Sequence, residues 1–232
     1  LEFTNHIIET SSINDKNLTD KFVENLVKVL PEEFITPPSI LGDKVNKGDN
    51  VILVTPIDKE APKGRLILPE VQTIRDLLDN DCIATVVQEN NLENAINNLK
   101  VKPKLVVTDS QAFKAVDSIV PEEIDITSFS ILFARLKGDL KTFLKGCEAI
   151  GTLKPNDKVL ILESCTHHSI DDDIARVKIP KLLQNKLGFE LNFDYKTGHD
   201  FPSISGYKLI IHCGACMTNR KEILSRILIA NK

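Results

Sequence analysis

Apolar residues in this chain come in short continuous runs separated by segments of helical spacing. The runs at 51–55, 82–87, 105–108, 158–163 and 207–212 are too short and too uniformly apolar for surface helices. They read as strands buried on both faces, the mark of a parallel sheet. A further strand is predicted at 189–195. Between them lie predicted helices at 69–79, with Pro69 near its start, and at 92–99. Another carries Phe113 and Val116 and can be capped by Asp109 or Ser110. Ser128 can cap a helix bearing Ile131, Leu132, Phe133 and Leu136, and after Gly138 the pattern stays helical from Asp139 to Ile150. The last two helices fall at about 172–186 and 217–228. At the start of the chain Thr19 can cap a helix running to Leu30, with Phe22, Leu26, Val29 and Leu30 on one face. Pro31 and the pair Pro37-Pro38 end it.

This alternation of strand and helix implies an α/β fold with right-handed crossovers. The pattern breaks after Pro121, so we expect two small parallel-sheet α/β units flanked by helices, divided near residue 125. No internal repeat and no low-complexity segment interrupts them.

Composition narrows the function classes. The chain has 232 residues, 42% hydrophobic and 27% charged, with a net charge of −4. That charge gives no general attraction to nucleic acid or to an anionic membrane, so neither partner is expected. No apolar stretch approaches the roughly 20 residues needed to span a bilayer. The segment 1–14 lacks a basic region followed by an apolar core, so no signal peptide is expected. The missing initiator Met suggests a fragment. Five cysteines at irregular positions do not form a disulfide framework in a chain this long, which favours a reducing, cytoplasmic setting. Cys82 and Cys147 lie among apolar neighbours and are expected as small core residues.

The other three cysteines stand just beyond two predicted strands. Cys165 follows the run 159–162. Cys213 and Cys216 follow the run 209–211, in the segment Ile211-His212-Cys213-Gly214-Ala215-Cys216. In open α/β sheets the loops beyond the carboxyl ends of the strands converge on one crevice, where ligands bind. Three soft thiolate ligands gathered there, with His167 and His212 close in sequence, make a metal or iron–sulfur site. A helix starting after Cys216 adds partial positive charge that favours thiolates and an anionic cluster. A thioredoxin-like dithiol has the same strand, C-x-x-C and helix context, but needs no third cysteine or flanking histidines.

Zinc accepts three Cys and one His readily. A cubane cluster normally takes four thiolates, so with three of them one iron carries an exchangeable N or O ligand. Ligand chemistry alone leaves zinc and iron–sulfur level, with a redox dithiol third. Candidates for the fourth ligand are Glu163, His167, His168, Asp171, Asp172, Asp173 or a residue of a partner subunit. The three aspartates also read as the N-cap and first turn of the next helix. There is no phosphate loop, no G-x-G-x-x-G and no nucleophile elbow or Ser-His-Asp grouping, so neither a nucleotide site nor a hydrolase is expected.

Cys165-Thr166-His167-His168 together with His212-Cys213-Gly214-Ala215-Cys216, running into Met217-Thr218-Asn219-Arg220, resembles the FeFe-hydrogenase maturation factors of the HydF family. The segments 61–69, 107–113 and 127–135 resemble the same family, and the likeness extends from about residue 38 to the end. The resemblance implies a family of three parts: a GTPase domain, a dimerisation domain and a cluster-binding domain. On that likeness residues 1–37 are the remnant of the GTPase domain and a linker, 38–125 the dimerisation domain, and 126–232 the iron–sulfur cluster-binding domain. GTP hydrolysis is not carried over, and the chain is expected to be a scaffold and not an enzyme. The resemblance further implies that Cys165, Cys213 and Cys216 hold a 4Fe–4S cluster, with His167 and His212 belonging to the cofactor-binding motif. It implies a di-iron precursor as transferred cargo, a homodimer, and apo FeFe-hydrogenase and the radical-SAM maturases of the pathway as partners.

Overall fold

The computed structural model describes residues 17–29, 38–57, 64–163, 174–198, 201–212 and 218–231. Residues 1–39 form one unit and residues 40–232 a second, compact one. In the first unit α1 (Leu18–Val29) starts one residue before the expected cap Thr19. Its apolar residues Phe22 and Leu26 are exposed.

The second unit is α/β, as the alternation of elements predicts, and holds two parallel sheets. In the first sheet β1 (Asn50–Val54), β2 (Ile83–Val87), β3 (Leu105–Thr108) and β4 (Asp125–Ser128) lie in the order β2-β1-β3-β4. Every neighbouring pair is parallel, with Val51 opposite Ala84 and Leu105. The connections carry α2 (Leu68–Asp79), α3 (Leu92–Asn98) and α4 (Phe113–Asp117). Side chains alternate across a strand, and the core divides accordingly. Val51, Leu53, Leu105 and Val107 pack with Leu77 of α2 on one face. Ile52, Val54 and Val106 pack with Leu92 of α3 and Val116 of α4 on the other.

The division expected near residue 125 lies later. Asp125–Ser128 is the fourth strand of the first sheet, and α5 (Phe129–Lys137) buries Phe129, Leu132 and Phe133 in the same core as Leu53. Ser128 caps α5 as predicted, its hydroxyl accepting from the Ile131 N–H at 3.2 Å. The joint falls at Gly138-Asp139. A Cβ on Gly138 would collide with the Phe143 ring, and the Asp139 carboxylate caps α6 (Leu140–Ala149) by accepting from Lys141 and Thr142 N–H.

The loop that enters β1 is held to α5 by charge. Arg135 donates to both Asp43 carboxylate oxygens, at 2.7 and 2.8 Å, and to the Ile40 carbonyl. The hydrogen bond from Arg135 holds the Asp43 carboxyl below its ordinary range. A depressed carboxyl contributes stability above its unfolded value, and that contribution is lost as pH falls through the folded value. Asp43→Asn is therefore expected to lower the urea midpoint at about pH 7 and to make little difference at about pH 2. The effect will be small, since this carboxylate is 57% exposed. An equal loss at both pH values would remove the charge argument.

Thr108, the last residue of β3, is fully buried and its hydroxyl has no hydrogen-bond partner. An unsatisfied buried hydroxyl costs stability that an apolar group of the same shape does not. Thr108→Val should raise stability by about 1 kcal/mol, measured by urea unfolding. Destabilisation would show that the hydroxyl has a partner in solution.

In the second sheet β5 (Lys158–Glu163) is central, flanked by β6 (Asn192–Thr197) and β7 (Leu209–His212), all parallel. The expected strand at 189–195 begins later because Phe189 and Leu191 turn into the core before pairing starts. Between β5 and β6 the chain forms a π-helical turn (Ile174–Lys178) and then α7 (Ile179–Leu187). Pro180 lacks the N–H of a regular helix, which accounts for the wide turn in front of it. Gly188 ends α7 at φ +77°, a left-handed conformation that glycine adopts without strain. Val159, Ile161 and Leu209 pack under α7 with Ala175 and Leu183. The opposite face carries Leu160, Leu162, Ile210 and His212, and α8 (Arg220–Ala230) meets it through Arg226.

Among the described residues no helix is long and apolar enough to cross a membrane. Cys82 is buried, as expected, and desolvation pushes its thiol pKa up. Cys147 departs from expectation: it is exposed on α6, on the same side as Leu144, which is also exposed, and α6 has no fully buried residue.

Candidate metal centre

Strand order marks where a ligand crevice falls in the second sheet. In the second sheet the chain passes from β5 to β6 on one side, then crosses to β7 on the other. The switch point therefore lies between β5 and β7, where open α/β sheets place their ligand crevice. Leu162 and His212 are register partners at the carboxyl ends of these strands, and neighbouring strands run about 4.8 Å apart. Glu163 closes β5, and Cys165 is two residues further on. His212 closes β7, and Cys213 follows it directly. Cys165, His167, Cys213 and Cys216 lie outside the described residues, as do His168 and Asp171 to Asp173. His212 and Glu163 lie within them.

Glu163 is largely buried, and Arg176 grips its carboxylate with two prongs. Nε donates to Oε1 at 3.2 Å and an Nη donates to Oε2 at 3.1 Å. The same guanidinium lies 5.4 Å over the Tyr195 ring. The pair spans the segment bearing Cys165 and His167, with one partner before it and the other after it. A carboxylate held in this way is not a ready metal ligand, which sets Glu163 behind the other candidates for the fourth position.

His212 is half-buried, and its Nε2 lies 2.6 Å from an Nη of Arg226. Arg226 is 5% exposed. Asn219 caps α8 by accepting from the Glu222 N–H at 2.9 Å, so the helix starts just beyond the C-x-x-C segment. Thr218 stands between them, 3% exposed, and among the described residues its hydroxyl has no partner. Among the described residues no three His, Cys, Asp or Glu side chains form a ligand group.

The described residues at this edge suit an anionic group, while the three candidate cysteines lie outside the described residues. A thiolate-held iron–sulfur cluster is anionic and accepts hydrogen bonds at sulfur. The carboxyl edge offers an orphaned hydroxyl at Thr218, a helix N-terminus at Asn219, and a buried cation at Arg226. Sequence reasoning missed both arginines. Arg226 left a trace: it falls three residues after Ile223 on the inward stripe of α8, where a charge is out of place. Arg176 left none.

Residues 40–138 match the hydrogen maturase F dimerization domain, and residues 141–232 match the hydrogen maturase F tetramerization domain. The two segments meet where the structure has its Gly138-Asp139 joint. No curated protein matches the chain. A solved structure from studies of fatty acyl-adenylate ligases of E. coli and L. pneumophila is similar at 14% identity with a TM-score of 0.33. That likeness covers 67% of this chain and 32% of the other, so the chain spans about a third of that protein's length. It is too slight to carry an argument.

Proposed function

The chain belongs to the hydrogen maturase F family, and from that premise we propose that it is a scaffold holding a 4Fe–4S cluster for hydrogenase maturation. Self-association follows from the dimerization and tetramerization domains it carries. Cys165, Cys213 and Cys216 would hold the cluster, and the observation behind this is the parallel pairing of β5 with β7. In sequence, both cysteine-bearing segments follow the carboxyl ends of these two paired strands, where open α/β sheets place their ligand crevice.

When bound, the cluster supplies one iron with an exchangeable ligand, where a di-iron precursor can dock. The chain's own residues do the rest. Three thiolates fix the group without filling its fourth position. The Glu163–Arg176 pair keeps a nearby carboxylate from competing for that position. Thr218 can donate to sulfur, which lowers the charge of the site without adding a ligand. The cargo is then released to apo FeFe-hydrogenase, with the radical-SAM maturases as its source. A reducing cytoplasm suits thiolates of this kind. In this reading the chain catalyses no reaction.

The test is chemical analysis of anaerobically purified protein. Iron and sulfide should be present in equal amounts, with the brown absorption of a cluster that bleaches on reduction. A colourless protein containing zinc would falsify the reading and leave a zinc-stabilised interaction module. Disulfide-exchange activity that survives Cys165→Ser would favour a dithiol oxidoreductase.

A further inference from the structure

At the carboxyl ends of β6 and β7 one buried side chain gathers three segments of the chain. The Arg226 guanidinium lies 2.6 Å from His212 Nε2, donates to the Gly198 carbonyl at 3.0 Å and meets Glu222 Oε1 at 2.5 Å. It also faces the Phe201 ring at 5.9 Å. Gly198 in turn donates its N–H to the Glu163 carbonyl at 3.1 Å. Arg226 thus ties α8 to the ends of β6 and β7, and through Gly198 to the end of β5. Its charge is balanced locally by Glu222, so the cation is buried as a pair.

The chemistry of the His212 contact is one-sided. A guanidinium has donors only, so Nε2 of His212 must accept. In a neutral imidazole the proton then sits on Nδ1. The Nε2 lone pair points at Arg226 and cannot also point at iron, and a protonated Nδ1 has no lone pair to give. We propose that Arg226 is a positioning residue that commits His212 to this tautomer. With Nε2 turned to Arg226 and Nδ1 protonated, His212 is excluded as an iron ligand. The proposal rests on the cluster-binding reading for its purpose, but the tautomer can be measured without a cluster.

The experiment has two arms, both on the full chain. In the first, iron-free protein labelled with ¹⁵N-histidine is studied by two-bond ¹H–¹⁵N correlation, with His212→Asn identifying the signal. The expected result is an Nδ1–H tautomer in the wild type and a change of tautomer in Arg226→Met. An Nε2–H tautomer in the wild type overturns the proposal, and that spectrum does not depend on the Arg226 variant folding. In the second arm the reduced, cluster-loaded protein is studied by pulsed electron paramagnetic resonance. No directly coordinated nitrogen should be lost in His212→Asn. A strong ¹⁵N coupling present in the wild type and absent from His212→Asn overturns the proposal. If the chain takes up no iron, the cluster reading fails, and the first arm still decides what Arg226 does to His212.

Discussion

Replacing Cys165, Cys213 or Cys216 by serine is expected to abolish cluster binding, with iron per chain falling to near background in each variant. Three thiolates are the fewest that fix a cubane, so the site has no redundancy. A serine hydroxyl is a hard, protonated oxygen at neutral pH and does not replace a soft thiolate. The chain supplies its own controls. Cys82 lies in the first-sheet core with its thiol pKa raised by burial, and Cys147 is exposed on α6. Neither belongs to β5, β7 or the segments that follow them, so Cys147→Ser should keep the wild-type iron content. Colorimetric iron, acid-labile sulfide and the visible spectrum measure this directly. Full iron in Cys165→Ser would sever the β5 loop from the centre and reduce the site to its C-x-x-C half. Uniform loss that included Cys147→Ser would point to damaged folding and not to lost ligands.

The order of elements was legible because burial on both faces leaves a strong trace. The strands β3 and β5 fall where the apolar runs place them, since a central parallel strand has no solvent face to fill with polar residues. β4 is the counter-example. Asp125, Thr127 and Ser128 make three of its four residues polar, as an edge strand permits, and a hydropathy reading passes over it. Missing that strand put the division between the sheets too early. Pro180 hid the π-helical turn, because periodicity on either side of it still reads as one helix. Cys147 was misplaced for a related reason: apolar neighbours along a helix do not show which way a residue faces.

Of the site, the sequence offered candidate ligands that lie outside the described residues, and topology pairs the two strands that precede them. The arginines that meet the ends of those strands were not legible. Arg176 answers Glu163 from 13 residues away and Arg226 answers His212 from 14 residues away. Pairings at that distance depend on how strands and helices come together, and no local pattern encodes them.

The largest expected loss of stability is at the centre of the second sheet. Ile161 in β5 is fully buried, with β6 on one side, β7 on the other, and Leu183 and Ala175 packed over it. Truncation to alanine removes three carbons from a place where both neighbouring strands are hydrogen-bonded, so the sheet cannot close over the gap. Ile161→Ala should cost about 2–5 kcal/mol, the range for large aliphatic residues in rigid cores. Val101, which is 75% exposed, provides the contrast, and Val101→Ala should change stability by less than about 0.5 kcal/mol. Urea unfolding of the two variants against the wild type makes the comparison. The consequence for function follows from the same strand: β5 ends at Glu163, and its position sets where the Cys165 loop begins. Ile161→Ala should therefore lower iron retention on warming well before Val101→Ala does. An Ile161→Ala protein within 1 kcal/mol of the wild type would mean that the second sheet yields to a cavity. A sheet that yields so readily is a poor frame for a metal centre built across two of its strands.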